Sequence, residues 1–114
     1  MSSNKKYKIA VSNLVVVEVK GQLKNEQGEP VAFKFEFTAK RQSSSEVTAN
    51  NGKPMKDILQ DIITDVRGQK LVLLEDDTPA PFDPDMLGAL LDISGMAVLC
   101  YSKYLAEQSV AEKN

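Results

Sequence analysis

The side chains in this sequence that could perform chemistry are few in kind. There is no histidine and only one cysteine, Cys100. Ser-His-Asp and Cys-His nucleophile systems need an imidazole, so both are excluded. A single thiol cannot close a disulfide within the chain, and it cannot build a Cys/His zinc site. A lone thiol fits a reducing compartment. Cys100 lies in the apolar stretch Met96–Tyr101 and reads as a small buried hydrophobe rather than a nucleophile. Glu75, Asp76, Asp77, Asp83 and Asp85 offer oxygen ligands to a hard cation. They lack the spacing and the central glycine of an EF-hand loop, and read as a solvated segment with capping roles. No acid has the apolar flanks that would raise its pKa for acid/base work. The six glycines are scattered singly, so no phosphate-cradling loop is formed. Neither catalysis nor a metal or cofactor is expected.

Two patterns point to binding instead. Phe33, Phe35 and Phe37 recur at every second position, with Lys34, Lys40 and Arg41 nearby. Sheets that bind single-stranded nucleic acid combine aromatics and basic residues in this way. The same ladder is also what a small core requires. The second pattern is in the last helix. At about 100° per residue, Met96, Ala97, Val98, Cys100, Tyr101, Tyr104 and Leu105 cover roughly 200° of its circumference. A surface helix needs a stripe of only about 100°, and Leu99 falls outside even the wide arc. Either this helix is central to the domain or part of its apolar face meets another chain. Met96, Leu99, Tyr101, Tyr104 and Leu105 are the candidate partner contacts, through helix-in-groove or helix-pair packing.

The elements that must carry these residues follow from periodicity. Val15, Val17 and Val19 alternate with Leu14, Val16, Glu18 and Lys20 in a strand that begins near Tyr7. A polar turn over residues 25–30 leads to the Val31–Phe37 strand, and the short link predicts an antiparallel hairpin. A helical turn fits Glu46–Ala49. Pro54 opens a helix whose apolar face is Met55, Ile58, Leu59, Ile62, Ile63 and Val66, with Gly68 as its left-handed cap. Leu71–Leu74 reads as a strand. Asp83 is an N-cap before Pro84, and Phe82 with Leu87 forms a hydrophobic staple. Ser94 caps the last helix, from about Gly95 to Gln108. At 114 residues the chain is one domain. The expected division is a disordered segment 1–6, a single α+β domain 7–108 and a frayed end 109–114. The fold class is α+β: an N-terminal antiparallel hairpin or small meander, followed by about three helices packed on one face.

The net charge of −2 conceals a split. Residues 1–41 hold eight basic and four acidic residues, whereas residues 42–114 hold six and twelve. The basic residues are dispersed rather than clustered, which argues against a nucleic-acid face. Opposite faces could also support head-to-tail self-association. No apolar run approaches the roughly 18 residues of a membrane span.

The succession of features over residues 31–106 resembles the tail assembly chaperones of long-tailed bacteriophages and prophages. It runs from Phe33-x-Phe35-x-Phe37 through Lys40-Arg41, a Ser-rich segment with Glu46, and the Ile58–Val66 helix ending at Gly68. It continues with Pro81-Phe82-Asp83, Leu90-Leu91, Gly95-Met96-Ala97 and Tyr101. The loop at Asp77–Thr78 departs from relatives in lacking a turn glycine, and Gln69 stands where many have an aromatic. The resemblance implies a non-enzymatic adaptor in the cytoplasm of the bacterial host. Such an adaptor coats the apolar, helical tape-measure protein and recruits tail-tube subunits, and is not retained in the finished particle. Two other readings of the residues remain: a small nucleic-acid-binding regulator using the basic hairpin, and a structural tail or neck protein.

Overall fold

Alternating valines and phenylalanines build the centre of the protein. A computed structural model describes residues 8–113. The expected disordered segment 1–6 and the terminal Asn114 lie outside the described residues; the strand expected from about Tyr7 begins only at Leu14, and residues 8–13 before it are irregular. β1 (Leu14–Lys24) and β2 (Pro30–Lys40) form a long antiparallel hairpin in which Val17 faces Phe37 and Val19 faces Phe35. α1 (Ser44–Ala49), α2 (Met55–Ile62) and β3 (Ile63–Arg67) follow, then α3 (Pro84–Leu91) and α4 (Met96–Gln108). The sheet is fully antiparallel in the order β1-β2-β3, and the class is α+β. Val15, Val17, Val19, Phe35, Phe37 and Ala39 are buried on one face, while Leu14, Val16, Lys20 and Lys34 stand on the other in solvent. α4 lies against β1, and α2 and α3 pack on α4 and on each other. This one-sided layering is the expected consequence of period-two strands with one apolar face.

The helix starts are locally encoded. Ser43 and Glu46 form a capping box at α1, with Ser43 N donating to Glu46 Oε1 at 2.8 Å and Glu46 N to Ser43 Oγ at 3.2 Å. The Asp83 carboxylate accepts from Met86 N at 2.7 Å and Pro84 occupies the first turn of α3. Phe82 and Leu87 both join the core. At α4 the cap is Gly95, in the left-handed region, rather than the expected Ser94.

The helix expected to run to Val66 stops at Ile62, and the chain passes without a loop into β3. Ile63 already has extended backbone, with φ −75° and ψ 126°. The segment Ile62-Ile63-Thr64-Asp65-Val66 is rich in β-branched residues, and the side of β2 facing it has ladder positions to fill. Ile63 and Val66 are three apart, a spacing that reads as one helical face and in a regular strand would put them on opposite faces. The register shifts at Thr38/Ala39, so that Thr38 faces Asp65 and Ala39 faces Ile63. This bulge absorbs the extra residue and lets both Ile63 and Val66 reach the core. Gly68, at φ +79°, therefore follows a strand rather than capping a helix.

Leu71–Leu74 is likewise not a regular strand. Its only pairing among the described residues is the bridge Leu73–Pro79. The buried side chain of Gln69 organises this loop. Its Nε2 donates to Val72 O at 3.0 Å and Ala80 O at 3.1 Å, and its Oε1 accepts from Leu71 N at 3.0 Å and Val72 N at 2.8 Å. All four hydrogen-bonding positions of the amide are filled. At the loop tip Asp77 itself takes φ 67°, where a glycine would sit more easily. The Asp76 carboxylate steadies the turn, accepting from the Thr78 hydroxyl at 2.6 Å and Thr78 N at 3.1 Å, and these bonds hold its pKa below the ordinary carboxylate value.

Candidate functional site

The five residues expected to meet a partner separate into two groups. Met96, Tyr101 and Tyr104 are buried in the core, although Met96 and Tyr101 still form the floor of small surface pockets. The wide apolar arc of α4 is used internally, because the helix packs against β1, α2 and α3 at once. Tyr104 is fully enclosed. Its hydroxyl donates to Lys40 O at 2.7 Å and stands 3.1 Å from Gln108 Oε1, placing the end of β2 beside the end of α4. Burial pushes its pKa up to about 12, and burial does the same to the Cys100 thiol, also to about 12. A thiol with so little thiolate at neutral pH is a core atom. Leu99 and Leu105 are half-exposed, and they lie on two different surfaces.

Leu105 lines the first surface, an open groove of about 690 Å³ between α1 and the end of α4. Ile9, Val11, Val47 and Val110 contribute apolar walls, and Ile9, Val11 and Val110 are strongly exposed. Gln42 is also part of the lining. Its Oε1 is buried and has no hydrogen-bond partner among the described residues. The backbone around it is well anchored: Gln42 N donates to Gln108 Oε1 at 2.8 Å, and Arg41 reaches Gln108 O at 2.6 Å. The groove thus combines apolar walls with a rim tied to the end of α4 by hydrogen bonds. Periodicity could not find it, because its walls come from the N-terminal segment, α1 and the C-terminal end.

Leu99 belongs to the second surface, at the outer half of the hairpin. There the Phe33 ring lies over Gly21, its cross-strand neighbour. A Cβ at position 21 would stand 2.5 Å from Phe33 Cζ and 3.3 Å from Leu99 Cδ2, so any larger residue there requires the ring to shift. Phe33 also stacks on Phe35, with centroids 6.0 Å apart. Phe35 and Phe37 are buried, so of the three ladder rings only the half-buried Phe33 reaches the surface. An open cleft of about 740 Å³ runs beside this arm, lined by Lys20, Phe33, Lys34, Gly68 and Lys70 among others.

The acidic residues of the Glu75–Asp85 loop serve the fold where the structure engages them, Asp83 as a cap and Asp76 in a turn. Among the described residues no cluster of acids and thiol could hold a metal ion. No single described helix is long and apolar enough to cross a membrane; α3 and α4 are bent by 102° relative to one another. No protein-family model, curated protein or solved structure matches this chain.

Proposed function

We propose that this protein is a tail assembly chaperone of a long-tailed bacteriophage or prophage. In this reading it is a non-catalytic adaptor in the bacterial host cytoplasm that binds the tape-measure protein and recruits tail-tube subunits. The observation that carries the reading is the groove between α1 and the end of α4. Its apolar walls include Ile9, Val11, Val47, Leu105 and Val110. An apolar helix is the shape and chemistry that such a groove accepts. The order of features over residues 31–106 adds the family resemblance. Of the expected contact set, Leu105 lines this groove and Leu99 lies at the hairpin arm.

The test is co-purification with an apolar helical segment of a tape-measure protein. The wild-type chain should retain the segment. Leu105→Asp and Val47→Asp should lose it while keeping wild-type circular dichroism and unfolding midpoints. Failure of the wild-type chain to bind, or equal binding by the folded variants, overturns the reading. A structural tail or neck protein would instead be found in purified virions.

A further inference from the structure

The outer half of β2 is a strand edge that no described strand pairs with. β3 pairs only with Glu36–Ala39, so Pro30–Phe35 has β1 on one side and no described strand on the other. The direction of its backbone groups follows from the hairpin ends. Asn25 N donates to Glu29 O at 2.9 Å and Arg41 N to Asn13 O at 2.7 Å. In an antiparallel pair the bonded residues alternate, so the odd-numbered residues of β2 bond to β1. The N–H and C=O of Ala32 and Lys34 therefore point away from β1, into the open side. Pro30, which has no N–H, occupies a position where the ladder to β1 needs none.

The charges around this edge are unbalanced. Lys20 faces Lys34 directly across the hairpin, in a non-hydrogen-bonded pair where side chains stand closest. Like charges in that position destabilise a sheet. The neighbouring like pair, Glu18 opposite Glu36, is compensated on the same face. Arg67 binds Glu36 at 3.1 Å, and Lys20 lies 3.6 Å from Glu18. Lys34 and Lys70 have no ion-pair partner among the described residues, and both line the 740 Å³ cleft together with Phe33.

We propose that this edge binds an acidic, extended peptide segment of a partner protein, which adds to the sheet as a strand beside Ala32–Lys34. The added strand bonds to the free backbone groups of Ala32 and Lys34. Its acidic side chains lie over Lys20, Lys34 and Lys70, and its alternate, apolar side chains lie on the Phe33 side. Strand addition draws affinity from main-chain bonds and selectivity from alternate side chains. A nucleic acid would find the same lysines but would have no use for the strand edge. The surface is distinct from the α1–α4 groove, and the inference stands whether or not that groove holds a tape-measure segment.

The experiment is a fluorescence anisotropy titration of the full chain at low salt. The probes are a fluorescein-labelled peptide of about ten residues alternating Val and Glu, its Val/Lys counterpart, and a labelled thymidine oligonucleotide of similar length. Binding of the Val/Glu peptide alone, weakening as salt rises, is the expected result. Lys34→Glu with Lys70→Glu should weaken it about tenfold or more. Ala32→Pro removes one edge N–H without touching the β1 ladder, and should weaken it by a similar factor at an unchanged unfolding midpoint. Loss with the lysine variants but not with Ala32→Pro overturns strand addition in favour of a diffuse cationic patch. Equal binding of the oligonucleotide overturns the peptide assignment. No binding of the Val/Glu peptide, or its exclusion by a concentration-dependent dimer, overturns the proposal outright.

Discussion

The two halves of the β1–β2 hairpin share one backbone geometry but have different neighbours. The inner half, Leu14–Val19 with Phe35–Lys40, is covered by helices on one face and extended by β3 on its β2 side. Val17, Val19, Phe37 and Ala39 are completely buried there. The outer half, Lys20–Lys24 with Pro30–Lys34, has no described strand beyond its own partner and meets α4 only near Leu99 among the described residues, and Val31 is half exposed. Stability therefore belongs to the inner half. The outer half keeps unfilled hydrogen-bonding groups and unpaired charge, which a folding core would not tolerate but a binding surface can use.

Substitutions can test this contrast, beginning with the largest effect. Phe37→Ala should cost about 3–5 kcal/mol in urea unfolding, whereas Val31→Ala should stay within about 0.5 kcal/mol. Equal losses would erase the distinction between the halves. Gly21→Val should cost about 1–3 kcal/mol, because its Cβ would collide with Phe33 at 2.5 Å. Adding Phe33→Ala should recover part of that loss, and a simple sum of the two effects would show that ring and glycine are not coupled.

Tyr104→Phe removes the hydroxyl bond that holds Lys40 at the inner end of β2, and should cost about 1 kcal/mol at neutral pH. It should also change the alkaline limb. Tyr104 and Cys100 have folded pKa values of about 12, above their ordinary 10.0 and 9.0. Both groups are buried in their neutral, protonated form. Their contribution is present in full below the ordinary values and is lost as pH rises through the window toward the folded values. Each ionising group adds a slope of at most about 1.4 kcal/mol per pH unit. Unfolding curves between neutral and alkaline pH should fall less steeply for Tyr104→Phe than for the wild type. The smallest expected change is a gain. Lys34→Glu converts the Lys20–Lys34 pair to opposite charges and should stabilise the hairpin by about 0.5 kcal/mol. A variant that is more stable yet loses the acidic peptide would separate the binding role of Lys34 from any role in folding.

Much of the fold was legible in local patterns. The period-two ladders of β1 and β2 and the Asp83 cap each depend on residues a few positions apart. Where the reading of α2 ran too long, the cause was specific. The three-residue spacing of Ile63 and Val66 is shared by one face of a helix and by a strand with a bulge. Only the edge of β2, distant in sequence, selects the second. Gln69 gave no signal either, because its four partners are backbone groups whose arrangement exists only once the loop closes. The partner contacts were harder still. Apolar arc on α4 could be counted from sequence, but its division between core and surface depends on what packs around it.

The sequence by itself determined the class of fold, the absence of imidazole chemistry and the unreactive setting of Cys100, because composition and short-range periodicity are sufficient for each. Tertiary structure decided that Met96, Tyr101 and Tyr104 are core, that Leu105 faces a groove, and that Lys34 stands opposite Lys20 on an open edge. Burial, register and unpaired charge are relations between residues far apart in the chain, and they acquire values only when the chain has folded.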